Sequence, residues 1–248
     1  MIKNGVFICV LVVLSGAFWA TWAEDPPVNI GSHRELFVDR YLVGSLENVQ
    51  QVLNAPEHES TALTFDKPWE GRYCGYVTIL QDGDLYRMYY RGLPESGKDG
   101  SSNEVTCCAE SRDGIEWTRP ELDLFSVRDH PVNNVVLADQ APYSHNFAPF
   151  LNTRPGASPE ERYLAMAGTS ETGLSTFASP DGLRWTMLNE GVIREGAFDS
   201  QNVAFWSDAE GCYVCYFRSW SEGGFGGHRW ISRSTSPDYV TWSAPEVM

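Results

Sequence analysis

Positive charge is scarce in this chain of 248 residues: 18 Lys and Arg stand against 33 Asp and Glu, a formal charge of -15. Phosphate backbones demand a basic footprint, so no nucleic-acid partner is expected. Histidine is sparse too, with 5 in all. None is spaced with cysteine as a zinc knuckle would be, so no metal and no cofactor are read from the sequence. The loop Gly223-Gly224-Phe225-Gly226-Gly227 lacks the lysine and the strand-to-helix setting of a phosphate cradle. No nucleophile elbow appears, which leaves a serine hydrolase without support. What is plentiful is aromatic: 9 Trp, 11 Tyr and 12 Phe exclude a disordered chain. Gly 22 and Pro 14, spread along the length, point to many turns rather than long helices.

The first residues belong to a different class. Lys3 precedes an apolar run from Val6 to Leu14, and Thr21-Trp22-Ala23 places small residues before Glu24-Asp25. Residues 1–23 read as a secretory signal peptide, giving an exported (periplasmic or extracellular) protein with no stable membrane insertion after cleavage. The rival is an uncleaved anchor, since Gly5 to Ala23 approaches spanning length. Export permits disulfides, but the five cysteines beyond the leader, Cys74, Cys107, Cys108, Cys212 and Cys215, are odd in number. Cys212 and Cys215 sit in a strand-like run, where a three-residue offset puts them on opposite faces. Buried apolar side chains are the expectation for all five.

A repeat organises the rest. Ser111-Arg112-Asp113-Gly114-Ile115-Glu116-Trp117, Ser179-Pro180-Asp181-Gly182-Leu183-Arg184-Trp185 and Ser236-Pro237-Asp238-Tyr239-Val240-Thr241-Trp242 align. Each copy follows an aromatic-rich strand, aligned as Tyr86 to Arg91 with Arg162 to Ala167 and with Cys212 to Arg218. Another apolar strand precedes that one, beginning near Gly75, Asn146 and Asn202. Strand, turn, strand, loop, strand, S-x-D turn and a Trp-led fourth strand make a propeller blade. In the turn, Asp caps backbone N–H groups, Gly takes a positive φ and Trp packs between sheets. The motif resembles the Asp-box of sialidases, where it is structural. Tyr239 replaces Gly in the third copy, which predicts a different turn type there.

Leu36-Phe37-Val38-Asp39, Pro68-Trp69-Glu70-Gly71, Tyr86-Arg87-Met88-Tyr89-Tyr90-Arg91-Gly92, His145-Asn146-Phe147-Ala148-Pro149-Phe150 and Phe198-Asp199-Ser200-Gln201-Asn202-Val203 together carry a family resemblance. They look like exported five-bladed propellers similar to the N-terminal domain of family 32 glycoside hydrolases, or to family 43. The resemblance implies an all-β, five-bladed β-propeller that acts on or binds a carbohydrate. The invertase-like Asn-Asp-Pro-Asn, Arg-Asp-Pro and Glu-Cys motifs are absent, so no catalytic residue carries over by motif. On this reading residues 24–248 form a partial propeller, with blades near 68–130, 131–190 and 191–248. A closed ring needs at least four, so the expectation is an N-terminal piece whose segment Ile30 to Pro56 lends a closing strand to the last blade.

Glycoside hydrolysis needs two carboxyl groups flanking the scissile bond. In a propeller the first strand of every blade lines the central channel, so polar residues at their starts converge on one mouth. Asp199, Glu70 and Asp39 are therefore the candidate catalytic carboxylates. Their bland counterparts are a hydrogen-bonded channel carboxylate, a turn residue and a cap. Candidate substrate contacts are His145, Asn146, Gln201, Asn202, Arg72, Arg91 and Arg218. With no second ligand nearby in sequence, His145 reads as a sugar contact or a structural residue. Asp199, embedded between Ala197-Phe198 and Val203-Ala204, is the foremost. The alternative to a glycosidase is a non-catalytic carbohydrate-binding or scaffold propeller, since a fold alone fixes no activity. Arginines that bind phosphate would convert the same site to phosphorolysis.

Overall fold

The computed structural model describes residues 27–32 and 34–248. The leader expected over 1–23 lies outside the described residues. Among those described, no helix is long and apolar enough to cross a membrane. Two units are distinguished, Met1–His58 and Glu59–Met248. In the first, the closing strand expected from Ile30 to Pro56 is not formed by the described residues. Asp39 instead makes a turn, its Oδ1 accepting the Tyr41 N–H at 2.8 Å. A strand persists only as part of a ladder, and an Asx turn satisfies this backbone locally instead.

The second unit is built of antiparallel sheets. The first contains β1 (Gly75–Asp82), β2 (Leu85–Gly92), β3 (Val105–Ser111) and β4 (Trp117–Thr118) in that order, with β5 (Val135–Leu137) also paired to β3. The second runs β6 (Ala148–Leu151), β7 (Tyr163–Thr169), β8 (Gly173–Ser179) and β9 (Thr186–Ile193). The third runs β10 (Val203–Ser207), β11 (Cys212–Trp220), β12 (Arg229–Ser236) and β13 (Glu246–Val247). Helix is confined to short 3₁₀ turns at Tyr143–His145 and Pro159–Glu161. Val135–Leu137 falls in the range read as the second blade, yet its ladder belongs to the first sheet.

The strand patterns follow from where each sheet sits. β1 alternates between half-buried and exposed residues, whereas β7 and β8 are buried along nearly their whole length. Burial on both faces makes alternation disappear. The first strands β1, β6 and β10 are neighbours, β1 against β6 and β6 against β10. That is the side-by-side order expected of successive blades. Phe150, Leu164, Met166, Phe198, Tyr213 and Tyr239 form one core cluster, uniting residues of the second and third sheets. Tyr89 packs edge-on to Trp185, joining the first sheet to the second. Cys107, Cys108 and Cys215 are buried free thiols, as expected, with Cys74 and Cys212 half-buried. Burial pushes the Cys108 thiol up to about 12.

The S-x-D turns are alike in all three copies. In each, Asp Oδ1 accepts two backbone N–H groups, from Ile115 and Glu116, Leu183 and Arg184, or Val240 and Thr241, at 2.7–2.9 Å. The expectation that the third turn differs is corrected, because Tyr239 takes φ 69 where Gly114 and Gly182 have 77 and 73. Packing overrides the strain of a left-handed tyrosine. The side chain is 3% exposed, and its hydroxyl donates to the Ala165 carbonyl at 2.8 Å.

The ladder also corrects the alignment of the second strands. Tyr86 pairs with Ser111, Tyr163 with Ser179 and Tyr213 with Ser236. Tyr86, Tyr163 and Tyr213 are thus equivalent, one residue later in the second and third copies than the sequence alignment had them. Tyr89 then corresponds to Met166, and this explains Tyr239. Where the first sheet meets the second, Tyr89 Oη donates to the Gly182 carbonyl at 2.9 Å, and Arg87 donates to that of Asp181. A Cβ on Gly182 would lie 2.6 Å from Tyr89 Oη and 2.5 Å from Arg87 Nη1. At the next interface Leu164 and Met166 stand in those places and leave room, which Tyr239 fills from the turn side.

Candidate functional site

The starts of β1, β6 and β10 bring together much of what the sequence singled out. The short 3₁₀ turn Tyr143–His145 delivers His145 and Asn146 to the head of β6, both fully buried. The loop before β10 carries Asp199, Gln201 and Asn202. Arg91 lies near the end of β2 and Arg218 near the end of β11. Asp199 forms an ion pair with Arg218, and its side chain is 29% exposed. It is less buried than expected, because it lies on the wall of an open cavity of about 460 Å³. Asp99, Glu171, Thr169 and Phe225 line that same cavity.

The amide side chains hold backbone. Asn146 Nδ2 donates to the carbonyls of Gly168 at 2.9 Å and Ser200 at 3.2 Å, and to that of Phe198. Its Oδ1 accepts the Gly168 N–H at 3.1 Å. Asn202 Nδ2 donates to the Ser200 carbonyl at 3.1 Å. Gln201 Nε2 donates to Thr78 Oγ1 at 2.7 Å, tying the loop to β1. These contacts fix where Asp199 stands.

Besides the cavity-wall residues Asp99 and Glu171, Tyr76 and Glu104 escaped the sequence reading. Tyr76 sits at a bulge at the start of β1, with φ 53. Its hydroxyl donates to the Asp199 carbonyl at 2.7 Å, and its ring meets His145 edge-on at 5.3 Å with the Arg91 guanidinium 4.8 Å above it. Glu104, fully buried before β3, places both carboxylate oxygens 3.1 and 3.2 Å from His145 Nδ1. A left-handed tyrosine at a bulge leaves no mark in a strand pattern, and Glu104 lies 41 residues from His145.

Glu70 has other company. Fully buried, it accepts Arg119 Nε at 2.7 Å, Arg119 Nη2 at 2.8 Å, the Tyr90 hydroxyl at 2.6 Å and the Lys67 N–H at 3.1 Å. Asn134 extends the network from Tyr90 to the Trp69 indole. Arg72 is exposed. Asp39 belongs to the unit Met1–His58.

No known family model matches the chain, and no curated protein matches it. Solved structures do resemble it. A glycosyl hydrolase from Bacteroides ovatus is 15% identical with a TM-score of 0.46, over 69% of this chain and 50% of that one. An alpha-L-arabinanase mutant from Cellvibrio cellulosa is 10% identical with a TM-score of 0.49, over 75% of this chain and 61% of that one. An N-acetylgalactosamine deacetylase from F. plautii, in complex with blood group B trisaccharide, is 12% identical with a TM-score of 0.49, over 73% and 56%. The chain spans about half the length of the first of these.

Proposed function

We propose that the three sheets are consecutive blades of a five-bladed β-propeller, exported by residues 1–23, whose cavity binds a carbohydrate and hydrolyses a glycosidic bond. The observation that carries this reading is the cavity wall: Asp199, Asp99 and Glu171 line one open space with an aromatic ring, Phe225. Several carboxyl groups facing one space are what hydrolysis of an acetal requires, and an aromatic wall suits the apolar face of a sugar. Asp199 is the carboxylate that acts on substrate, with Arg218 paired to it and holding it in place. The second carboxyl group comes from the same wall. Glu70, with its oxygens fully engaged, serves structure.

The test is hydrolysis of a panel of oligosaccharides and aryl glycosides by the wild type and Asp199→Asn. The expected result is a loss of at least about a hundredfold in kcat, with a melting temperature shifted by no more than about 2 °C. Wild-type turnover in the variant overturns the assignment of Asp199. A second reading, a carbohydrate-binding propeller without turnover, is favoured by one observation: Asp199, the foremost carboxylate, is itself paired with Arg218. Saturable glycan binding by wild type without turnover of any panel member would select it.

A further inference from the structure

At the edge of the sugar cavity, the wall carboxylate Asp99 meets two buried side chains, Glu104 and His145, that the hydrolytic reading does not use. One donor atom from each of Asp99, Glu104 and His145 lies within 4.8 Å of the other two. The His145 ring is buried, and its Nε2 has no hydrogen-bond partner. That atom faces Asp99 Oδ2 at 3.8 Å, too far for a hydrogen bond.

The proton on the ring decides what Nε2 is. Both Glu104 oxygens converge on Nδ1, and Arg91 Nη1 also lies 3.0 Å from it. Arginine only donates and a carboxylate only accepts, so Nδ1 serves one of them. Arg91 has a second partner, its Nη2 donating to the Tyr73 carbonyl at 3.0 Å, whereas two Glu104 oxygens are in reach of Nδ1, which favours the carboxylate as the partner of an Nδ1–H. Glu104 also accepts the Gly100 N–H at 3.2 Å, which fixes its carboxylate beside the ring. In the neutral ring with Nδ1–H donating to Glu104, Nε2 carries a lone pair and faces a second lone-pair atom, Asp99 Oδ2. Nε2 is buried and unpartnered, and a cation shared with the exposed Asp99 carboxylate would satisfy it.

The surrounding charges agree. Glu104 is neutralised by Arg91, Asp199 by Arg218 and Glu171 by Lys98. Among the described residues, Asp99 has no Lys or Arg partner in an ion pair. Ligands around tetrahedral zinc, each about 2.0–2.1 Å from the metal, stand roughly 3.4 Å apart. The 3.8 Å gap from Nε2 to Oδ2 is close to that, and Asp99 is on a loop with a side chain 65% exposed, free to adjust. A carboxylate behind the distal nitrogen of a metal-bound imidazole is the usual means of fixing its tautomer.

We propose that His145 Nε2 and Asp99 bind a divalent cation of the zinc type, that Glu104 orients the imidazole through Nδ1, and that the cation's open positions face the cavity containing Asp199. A nitrogen ligand excludes calcium and magnesium as the favoured ions. Because the cavity is open, the remaining ligands are water or substrate oxygens.

The test reads binding directly and does not depend on carbohydrate turnover. Metal-stripped full-length protein is titrated with Zn²⁺ by calorimetry, and with Co²⁺ by visible absorption, for the wild type, Asp99→Asn and Glu104→Gln. The expected result is one saturable site per chain. Affinity falls at least about tenfold in Asp99→Asn, whose exposed position leaves folding intact, and by a smaller factor in Glu104→Gln. ¹⁵N NMR of the metal-free protein should show His145 protonated at Nδ1. Absence of a saturable site in the wild type, unchanged affinity in Asp99→Asn, or an Nε2–H tautomer each overturns the proposal.

Discussion

Replacing Tyr239 by glycine restores the residue type of the other two S-x-D turns, and should still destabilise the protein. Truncating a buried aromatic side chain costs about 3–5 kcal/mol in transfer and cavity terms. Tyr239 is 3% exposed and packs against Phe150 and Tyr213, at 5.7 and 4.9 Å between ring centroids. Glycine at φ 69 relieves roughly 1–2 kcal/mol of left-handed strain. The net loss is then about 1–4 kcal/mol. The companion change is Met166→Tyr, which supplies from the strand the tyrosine that Tyr89 supplies at the preceding interface. Alone, with Tyr239 still in place, it overpacks the interface by about 1–3 kcal/mol. Together the two substitutions reproduce the Tyr89–Gly182 pairing. Urea unfolding of the full chain and its three variants gives the coupling energy, expected to favour the double variant by at least about 1 kcal/mol. A double variant no more stable than the sum of the singles would refute the idea that the two interfaces are one design filled from opposite sides.

The Glu70–Arg119 pair sets a second expectation. Glu70→Ala leaves a half-buried guanidinium and the Tyr90 hydroxyl without their acceptor, costing about 3–5 kcal/mol in denaturant unfolding. A loss under about 1 kcal/mol would show that the network is not structural. Acid gives a third. The Ile115 and Glu116 N–H groups lower the Asp113 carboxyl, and those of Thr241 and Val240 lower Asp238, below the ordinary aspartate value. A depressed native value means that the unfolded chain binds more protons, so stability rises with pH across the window. This contribution is complete above about pH 4 and lost as pH falls through the native values. Melting temperature should therefore drop below about pH 4, and less steeply in Asp113→Asn/Asp238→Asn. Parallel acid profiles for variant and wild type would contradict it.

The sheet content was legible because the S-x-D turns repeat with invariant chemistry. Each Asp binds two N–H groups whatever follows it. The strand register was harder to see. Tyrosines occur on both faces of β2, so the alternation gave no register, and only the ladder placed Tyr163 opposite Ser179. The convergence of His145, Asn146, Asp199 and Asn202 followed from topology, since equivalent strand starts lie at one end. Glu104 and Tyr76 stayed hidden because their partners are remote in sequence. Glu70 looked like a site residue because it precedes the first strand of the first sheet, and its partner Arg119, 49 residues away, could not be seen in the sequence.

The anchoring of the Asp199 loop has a consequence for how the protein fails. Tyr76 and Gln201 bind the loop to the first sheet, Asn146 to the second, and Ala197, whose N–H donates to the Arg218 carbonyl at 2.9 Å, to the third. No sheet can drift without dragging or releasing this loop. The carboxylate is in effect a keystone, and its position registers the joint alignment of all three sheets. Substitutions that loosen a distant interface, such as the one filled by Tyr239, would reach the cavity as a displaced Asp199 before they reached it as unfolding. Damage far from the cavity and damage within it would then converge on the same lost geometry.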